Sequence, residues 1–299
     1  MLQTRFGLLL TPIRLAAPGL EIAPLPDFES VAARFKSDTN KDGYFYPSSI
    51  ETVTLPDWPD ETRREPVPGT KRPAHLFFLP DSHQLTIVDP LSADPIRDDA
   101  AFIVHLLGYL YGTRLQVSGW QFDGRIPVLQ STHHVWVGRR SFERFVPRAY
   151  QEWRANSPER RLKLNNILYM HTKAPSYEWP WERFLIEYLV TDAIYDYAIA
   201  ALIATPVRHE ERIRELCGRL GIWCPANAPV AEIVAIRNSL FHQALWEGER
   251  PGYKITADTY YKVFELRALN QRLIAALLGG LTTYTTREWT EWRFMVEFA

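Results

Sequence analysis

The residues best suited to chemistry stand in one short run, Arg237-Asn238-Ser239-Leu240-Phe241-His242. A guanidinium is a permanent cation with a fork of donors for phosphate or carboxylate oxygens. An imidazole changes charge near neutral pH, so it can take or give a proton. A carboxamide beside them can orient either one. Arginine, four residues, then histidine is met by chance roughly 0.7 times in a chain of this composition, so only its setting gives it weight. It occurs once, inside APVAEIVAIRNSLFHQALWEG (228–248). There Ile233, Val234 and Ile236 before it, and Leu240, Phe241 and Leu245 after it, predict the packing face of a helix. Asn238 and His242, four apart, share a face. Arg237 stands about 140° round the helix from His242, but its long side chain can bend toward the same cleft. Grouping three such polar side chains in an apolar helix is costly. The plainer alternative pairs Arg237 with Glu232 and leaves His242 capping a buried hydrogen bond.

The elements that must position this run fill the last third of the chain. WERFLIEYLVTDAIYDYAIAALIA (181–204) places Phe184, Leu185, Tyr188, Leu189, Ala193 and Tyr195 on a helical period, and Pro206 closes it. VRHEERIRELCGRLG (207–221) is a short helix with a glycine stop. DTYYKVFELRALNQRLIAALLGG (258–280) opens at Asp258 and stops at Gly279-Gly280. With 228–248 they make four helices joined by short connections, the pattern of an up-down bundle. Upstream, 98–112, 141–155 and 158–171 read as helices and 119–128 as turn and strand. Thirteen of the 22 prolines fall before residue 96, which excludes a helix bundle there. Short β-rich runs lie between them at 6–10, 74–79 and 84–88, and 56–73 reads as a polar, proline-rich loop.

The whole-chain numbers bound the function. The 299 residues are 46% hydrophobic and 23% charged, which excludes a disordered chain. Thirty-four basic and 35 acidic residues leave a net charge of −1, so any nucleic-acid face must be local. No phosphate loop, dinucleotide fingerprint, zinc-protease or hydrolase-elbow motif is present. No apolar run reaches membrane-span length and no secretory signal opens the chain, so no membrane and a cytoplasmic location are expected. Cys217 and Cys224 read as reduced, partly buried thiols. DTNKDG (38–43) opens like a calcium loop, but Ser49 stands where a bidentate glutamate is needed, so a polar turn is expected. His133 and His134 read as structural, His105 as a core histidine, and His171 and His209 as surface residues.

The set IVAIRNSLFHQAL on the third of four C-terminal helices resembles the HEPN superfamily, and the stretches before it resemble the ApeA-like HEPN proteins of bacterial defence. The fold class this implies is α+β: a β-rich N-terminal domain followed by a C-terminal all-α HEPN four-helix bundle. The N-terminal sensor or specificity domain covers 1–155, with a helical connector from about 98, and the helical domain covers 156–299, with its bundle core at about 176–280. The resemblance implies a metal-independent endoribonuclease without a cofactor, active in anti-phage defence or as a toxin. The RNA 2′-hydroxyl attacks the adjacent phosphate and leaves 2′,3′-cyclic phosphate and 5′-hydroxyl ends. Arg237, Asn238 and His242 are the catalytic set, and two copies pair through the bundle to complete the site. The substrate is tRNA or mRNA, and a phage-derived or cellular trigger is expected on the N-terminal domain. The tyrosine that adenylylated HEPN toxins carry two residues after the histidine is here Ala244. Residues 139–163 carry a local surplus of basic charge, and Arg139, Arg140, Arg144, Arg148 and Trp153 are the expected RNA-binding residues. Two other readings stand beside this one: a non-catalytic HEPN module that binds RNA or protein as a dimer, and a small-molecule sensor working through the N-terminal domain.

Overall fold

A computed structural model describes residues 1–37, 43–45, 50–55, 58–66, 76–92, 98–120, 122–128, 138–252, 257–280 and 283–287. The N-terminal part runs β1 (Leu2–Gly7), β2 (Leu15–Ala17), β3 (Leu20–Pro24), α1 (Phe28–Ser37), β4 (Tyr44–Phe45), β5 (Ile50–Leu55), β6 (Trp58–Pro66), β7 (Leu76–Phe77) and β8 (His83–Ile87). Then come α2 (Asp99–Tyr111), β9 (Gln116–Val117), β10 (Phe122–Asp123) and β11 (Ile126–Pro127). Five strands form one antiparallel sheet in the order β2-β3-β8-β1-β9. The remaining strands pair as β5 with β6, β7 with β10 and β4 with β11. Along β8, His83, Leu85 and Ile87 are buried while Gln84 and Thr86 are half-buried, the two-residue alternation of a sheet with one covered face.

Helix α2 is that cover. It is buried from Asp99 to Leu110, so it has no solvent side. It touches the sheet through β8 and β9, and α3 (Arg139–Ala155) and α4 (Pro158–Lys173) on its other sides. Gly108 lets the chain fold back beside it: a Cβ there would lie 2.7 Å from the Thr113 carbonyl oxygen. Helix α4 starts as the Ser-Pro signal predicts, with Ser157 accepting from the Arg160 N–H. The chain continues through a 3-10 turn (Ala174–Ser176), α5 (Pro180–Ala200), a second 3-10 turn (His209–Glu211), α6 (Arg212–Leu220), α7 (Asn227–Gln243), α8 (Ala257–Leu277) and α9 (Thr283–Thr286). The fold is therefore α+β: an antiparallel sheet followed by a helical region. One core runs through both, from Phe6, Ile22 and Leu85 past Phe102 and Trp153 to Phe184, Leu269 and Leu273. The packing has no break where α3 hands over to α4.

Several expectations need correction. Helix α1 was not foreseen among the prolines. Its signal is Phe28, Ala32 and Phe35, buried at helical spacing on one side, and the prolines stand outside it. Part of the expected polar loop, 58–66, is strand β6, paired antiparallel with β5. A ladder is made of backbone hydrogen bonds, so a run of charged residues does not prevent it. Helix α5 stops at Ala200, four residues short of the expected end. His171 is fully buried, not on the surface. His133, His134 and most of the calcium-like stretch lie outside the described residues. Cys217 and Cys224 are both free thiols, the first buried and the second half-buried. Among the described residues no helix is long and apolar enough to cross a membrane.

Candidate functional site

Helix α7 carries the run as expected, but its apolar stripe is shorter than predicted. Val230, Ile233 and Val234 are buried, Ile236 and Leu240 are half-buried, and Phe241 is 43% exposed. Arg237 occupies the next position of that stripe, four residues after Ile233, where a core residue would ordinarily sit. Its guanidinium reaches the Tyr188 ring of α5, and the residue as a whole is half-buried. The helix ends sharply after His242. Ala244 adopts a left-handed conformation at φ +53, and its N–H bonds to the Ser239 carbonyl. Trp246 then plugs into the core, its ring 5.3 Å from that of Phe184 in an edge-on contact. The last turn of α7, with His242 in it, is pinned from both sides.

The structure brings the three expected residues together. One guanidinium nitrogen of Arg237 donates to Asn238 Oδ1 at 3.1 Å and lies 3.3 Å from His242 Nε2. The guanidinium stacks near the Phe241 ring at 4.7 Å and the Tyr188 ring at 5.8 Å. Asn238 and His242 are exposed and Arg237 is half-buried. The Arg237–Glu232 ion pair is not formed: Glu232 pairs with Lys262 of α8 at 2.5 Å. Among the described residues no carboxylate reaches Arg237, and its Nε is buried without a partner. A half-buried cation without an internal counter-ion is chemically a site for an external anion.

Two residues that sequence reasoning did not place here complete the surroundings. Tyr188 of α5 is buried beneath Arg237, and its hydroxyl bonds His209 Nε2 at 2.7 Å. His209 is half-buried on the 3-10 turn before α6. Burial, then the Arg237 and Arg212 charges, hold its imidazole below the usual 6.5, against the pull of Asp192 and Glu210. Burial and Asp192 push the Tyr188 hydroxyl above the ordinary phenol range, outweighing Arg237 and Arg212. Asp192 is itself paired with Arg212 at 2.9 Å. No spacing in the sequence links these residues to Arg237, because only tertiary contact joins them.

On the residue of α5 just before Tyr188, a buried network locks the scaffold. Glu187 accepts from Arg267 at 2.6 Å, Asn270 at 2.8 Å and His171 at 2.9 Å. Arg267 also donates to the His171 carbonyl, and Thr191 bonds Asn270. Burial works against the Glu187 charge, but His171, Arg267 and Asn270 outweigh it and hold the carboxyl at about 2. Burial and the Arg267 charge keep His171 below 6.5, despite Glu187. With His171 neutral, Arg267 is the cation that balances Glu187. The network ties α4, α5 and α8 together and so fixes the helix that presents Tyr188.

The expected RNA face contracts. Trp153 is fully buried, its ring 4.9 Å from Phe102 and its indole N–H bonded to the Arg161 carbonyl, so it cannot stack on a base. Tyr150 is buried too and bonds Asp99. Sequence alternation of basic and aromatic residues looked like an interface, but helical geometry sends the aromatics inward. Arg148 is exposed yet donates to the Gly279 carbonyl, tying α3 to the end of α8. Arg139 pairs with Glu143 at 2.9 Å. Arg139, Arg140 and Arg144 remain exposed at the start of α3. Among the described residues, no group of three or more His, Cys, Asp or Glu could hold a metal. No protein-family model, curated protein or solved structure matches this chain.

Proposed function

We propose that the chain is an endoribonuclease of the HEPN type, with Arg237, Asn238 and His242 as its working residues and α5 to α8 as its four-helix unit. The observation that carries this reading is Arg237 itself: a cation on the core stripe of α7, without a carboxylate, shared between Asn238 and His242. A phosphodiester fits that environment in charge and hydrogen bonding. Arg237 holds the scissile phosphate and offsets the charge that gathers on its oxygens in the transition state. His242 takes the proton from the 2′-hydroxyl as that oxygen attacks phosphorus, or delivers one to the departing 5′-oxygen. Attack and departure at one phosphorus leave a cyclic phosphate and a free 5′-hydroxyl. One copy supplies one motif, so pairing of two copies brings a second histidine for the second proton transfer. The exposed Phe241 ring beside Arg237 offers a stacking surface for an unpaired base, which favours single-stranded RNA.

The test is cleavage of total RNA and tRNA in excess EDTA by wild type, Arg237→Ala and His242→Ala. Wild type is expected to leave cyclic-phosphate ends, and each variant to lose about 10²–10³-fold or more in rate. Wild type without cleavage, with the site intact by circular dichroism, would refute the nuclease. A second reading, small-molecule sensing, rests on a cavity of about 220 Å³ lined by Leu8, Leu9, Thr11, Lys36, Tyr111 and Thr113. It lies beside the segment that follows β1, next to α1 and the C-terminal end of α2, on elements apart from α7.

A further inference from the structure

Arg237 makes its hydrogen bonds within its own helix, and Phe241 beside it is on α7 too, but one contact comes from outside α7. That contact is the Tyr188 ring, 5.8 Å from the guanidinium carbon. Tyr188 is 2% exposed, and its ring has two neighbours that define its tilt: Phe184, at 5.9 Å on the same helix, and His209, at 5.7 Å. The hydroxyl bonds to His209 Nε2 at 2.7 Å. A buried hydroxyl left without a partner costs about 1–3 kcal/mol, enough to make the ring turn or to draw in water.

We propose that His209 is a positioning residue of the Arg237 site, acting through Tyr188. The proposal rests on the ribonuclease reading above for its catalytic consequence, though not for its geometry. The groups that face His209 are Tyr188 and Asp192 from α5, Arg237 from α7, and Arg212 and Glu210 from its own segment. Asp192 is engaged by Arg212, so of the two carboxylates near the imidazole one is already shared, and burial with the Arg237 and Arg212 charges outweighs both. A neutral imidazole suits that place. Its Nε2 accepts from the Tyr188 hydroxyl, and the phenol ring stays flat beneath Arg237. A protonated imidazole does not suit it: Nε2 becomes a donor, the hydrogen bond must reverse, and a second full charge stands near Arg237. The α5–α6 connection thereby makes the aim of Arg237 depend on the protonation of a residue outside the Arg237–His242 run.

The experiment uses the full chain, with His209→Ala, His209→Gln, Tyr188→Phe and Arg237→Ala beside wild type. Steady-state cleavage of a single-stranded RNA is followed from pH 5.5 to 8.5, and His209 is titrated by NMR of its imidazole. His209→Ala and Tyr188→Phe are expected to lower kcat about tenfold with KM within about twofold. His209→Gln is expected to recover kcat to within about threefold at pH 7.5, because a carboxamide oxygen can accept the Tyr188 hydroxyl. It should also make kcat less sensitive to acid than in wild type. Arg237→Ala should move the His209 titration upward by removing a neighbouring positive charge. A His209 titration that does not respond to Arg237→Ala overturns the proposal. So does a His209→Gln variant as slow as His209→Ala. An absence of cleavage by wild type refutes the ribonuclease alone, and the NMR titration then decides the coupling of His209 to Arg237.

Discussion

Replacing Glu187 by glutamine keeps the side-chain shape and removes one charge from the centre of the helical region. The carboxylate is fully buried and balances Arg267, which is 4% exposed. Glutamine takes away the charge that Glu187 supplies to that guanidinium, and breaking a buried pair from one side costs about 3–5 kcal/mol. The pH dependence gives a second estimate of similar size. A carboxyl that titrates near 4.5 when unfolded and at about 2 when folded contributes about 3 kcal/mol. Its folded pKa is depressed, so this contribution is fully present above pH 4.5 and is lost as pH falls toward 2. His171 acts with the same sign from higher pH, because its folded pKa also lies below its unfolded 6.5. Urea unfolding at pH 7.5, followed by tryptophan fluorescence, should place Glu187→Gln about 3–5 kcal/mol below wild type. Repeated between pH 5 and 3, the gap should narrow, since wild type loses what the variant never had. A variant within about 1 kcal/mol of wild type at pH 7.5 would refute the reasoning. A wild-type stability that does not fall below pH 4.5 would refute it too.

Phe241→Ala should raise KM for single-stranded RNA about tenfold, the loss of one stacked base, with kcat within about threefold; an unchanged KM would place the base elsewhere. Ala244→Gly should raise stability by about 1 kcal/mol, because it relieves a left-handed alanine at the end of α7, and a higher midpoint in thermal unfolding would show it. Trp153→Ala should lose about 3–5 kcal/mol as a large buried ring is deleted. The double variant Arg140→Ala, Arg144→Ala should leave stability within about 0.5 kcal/mol and lower the salt dependence of RNA binding by about two charges.

Periodic patterns were legible where neighbours in sequence are neighbours in space. The positions of α2 through α8 follow from apolar spacing, the Ser157-Pro158 start and the glycine stops, since these act within one or two turns. The run from Arg237 to His242 was legible for the same reason: three residues within a six-residue stretch of one helix meet through the helix itself. Patterns that rest on backbone pairing were weaker. The strand at 58–66 is polar, and its ladder with 50–55 depends on a partner rather than on its own residues. Helix α1 was hidden because flanking prolines suggested interruption, while its three buried residues span little more than two turns.

Sequence alone determined the order of the helices from α2 to α8, the mixed α+β class and the residues of the α7 run, because local backbone preferences and side-chain spacing set them. Tertiary structure decided which side chains face inward and which distant residues meet. It buried Trp153 and His171, which the sequence reading had placed outside, because the aromatic face of α3 turns toward α2 and the inner face of α4 toward α2 and α5. It also set Tyr188 and His209 beside Arg237. That contact joins three segments far apart in the chain, and burial of apolar surface between helices, which acts without regard to sequence distance, is what brings them together.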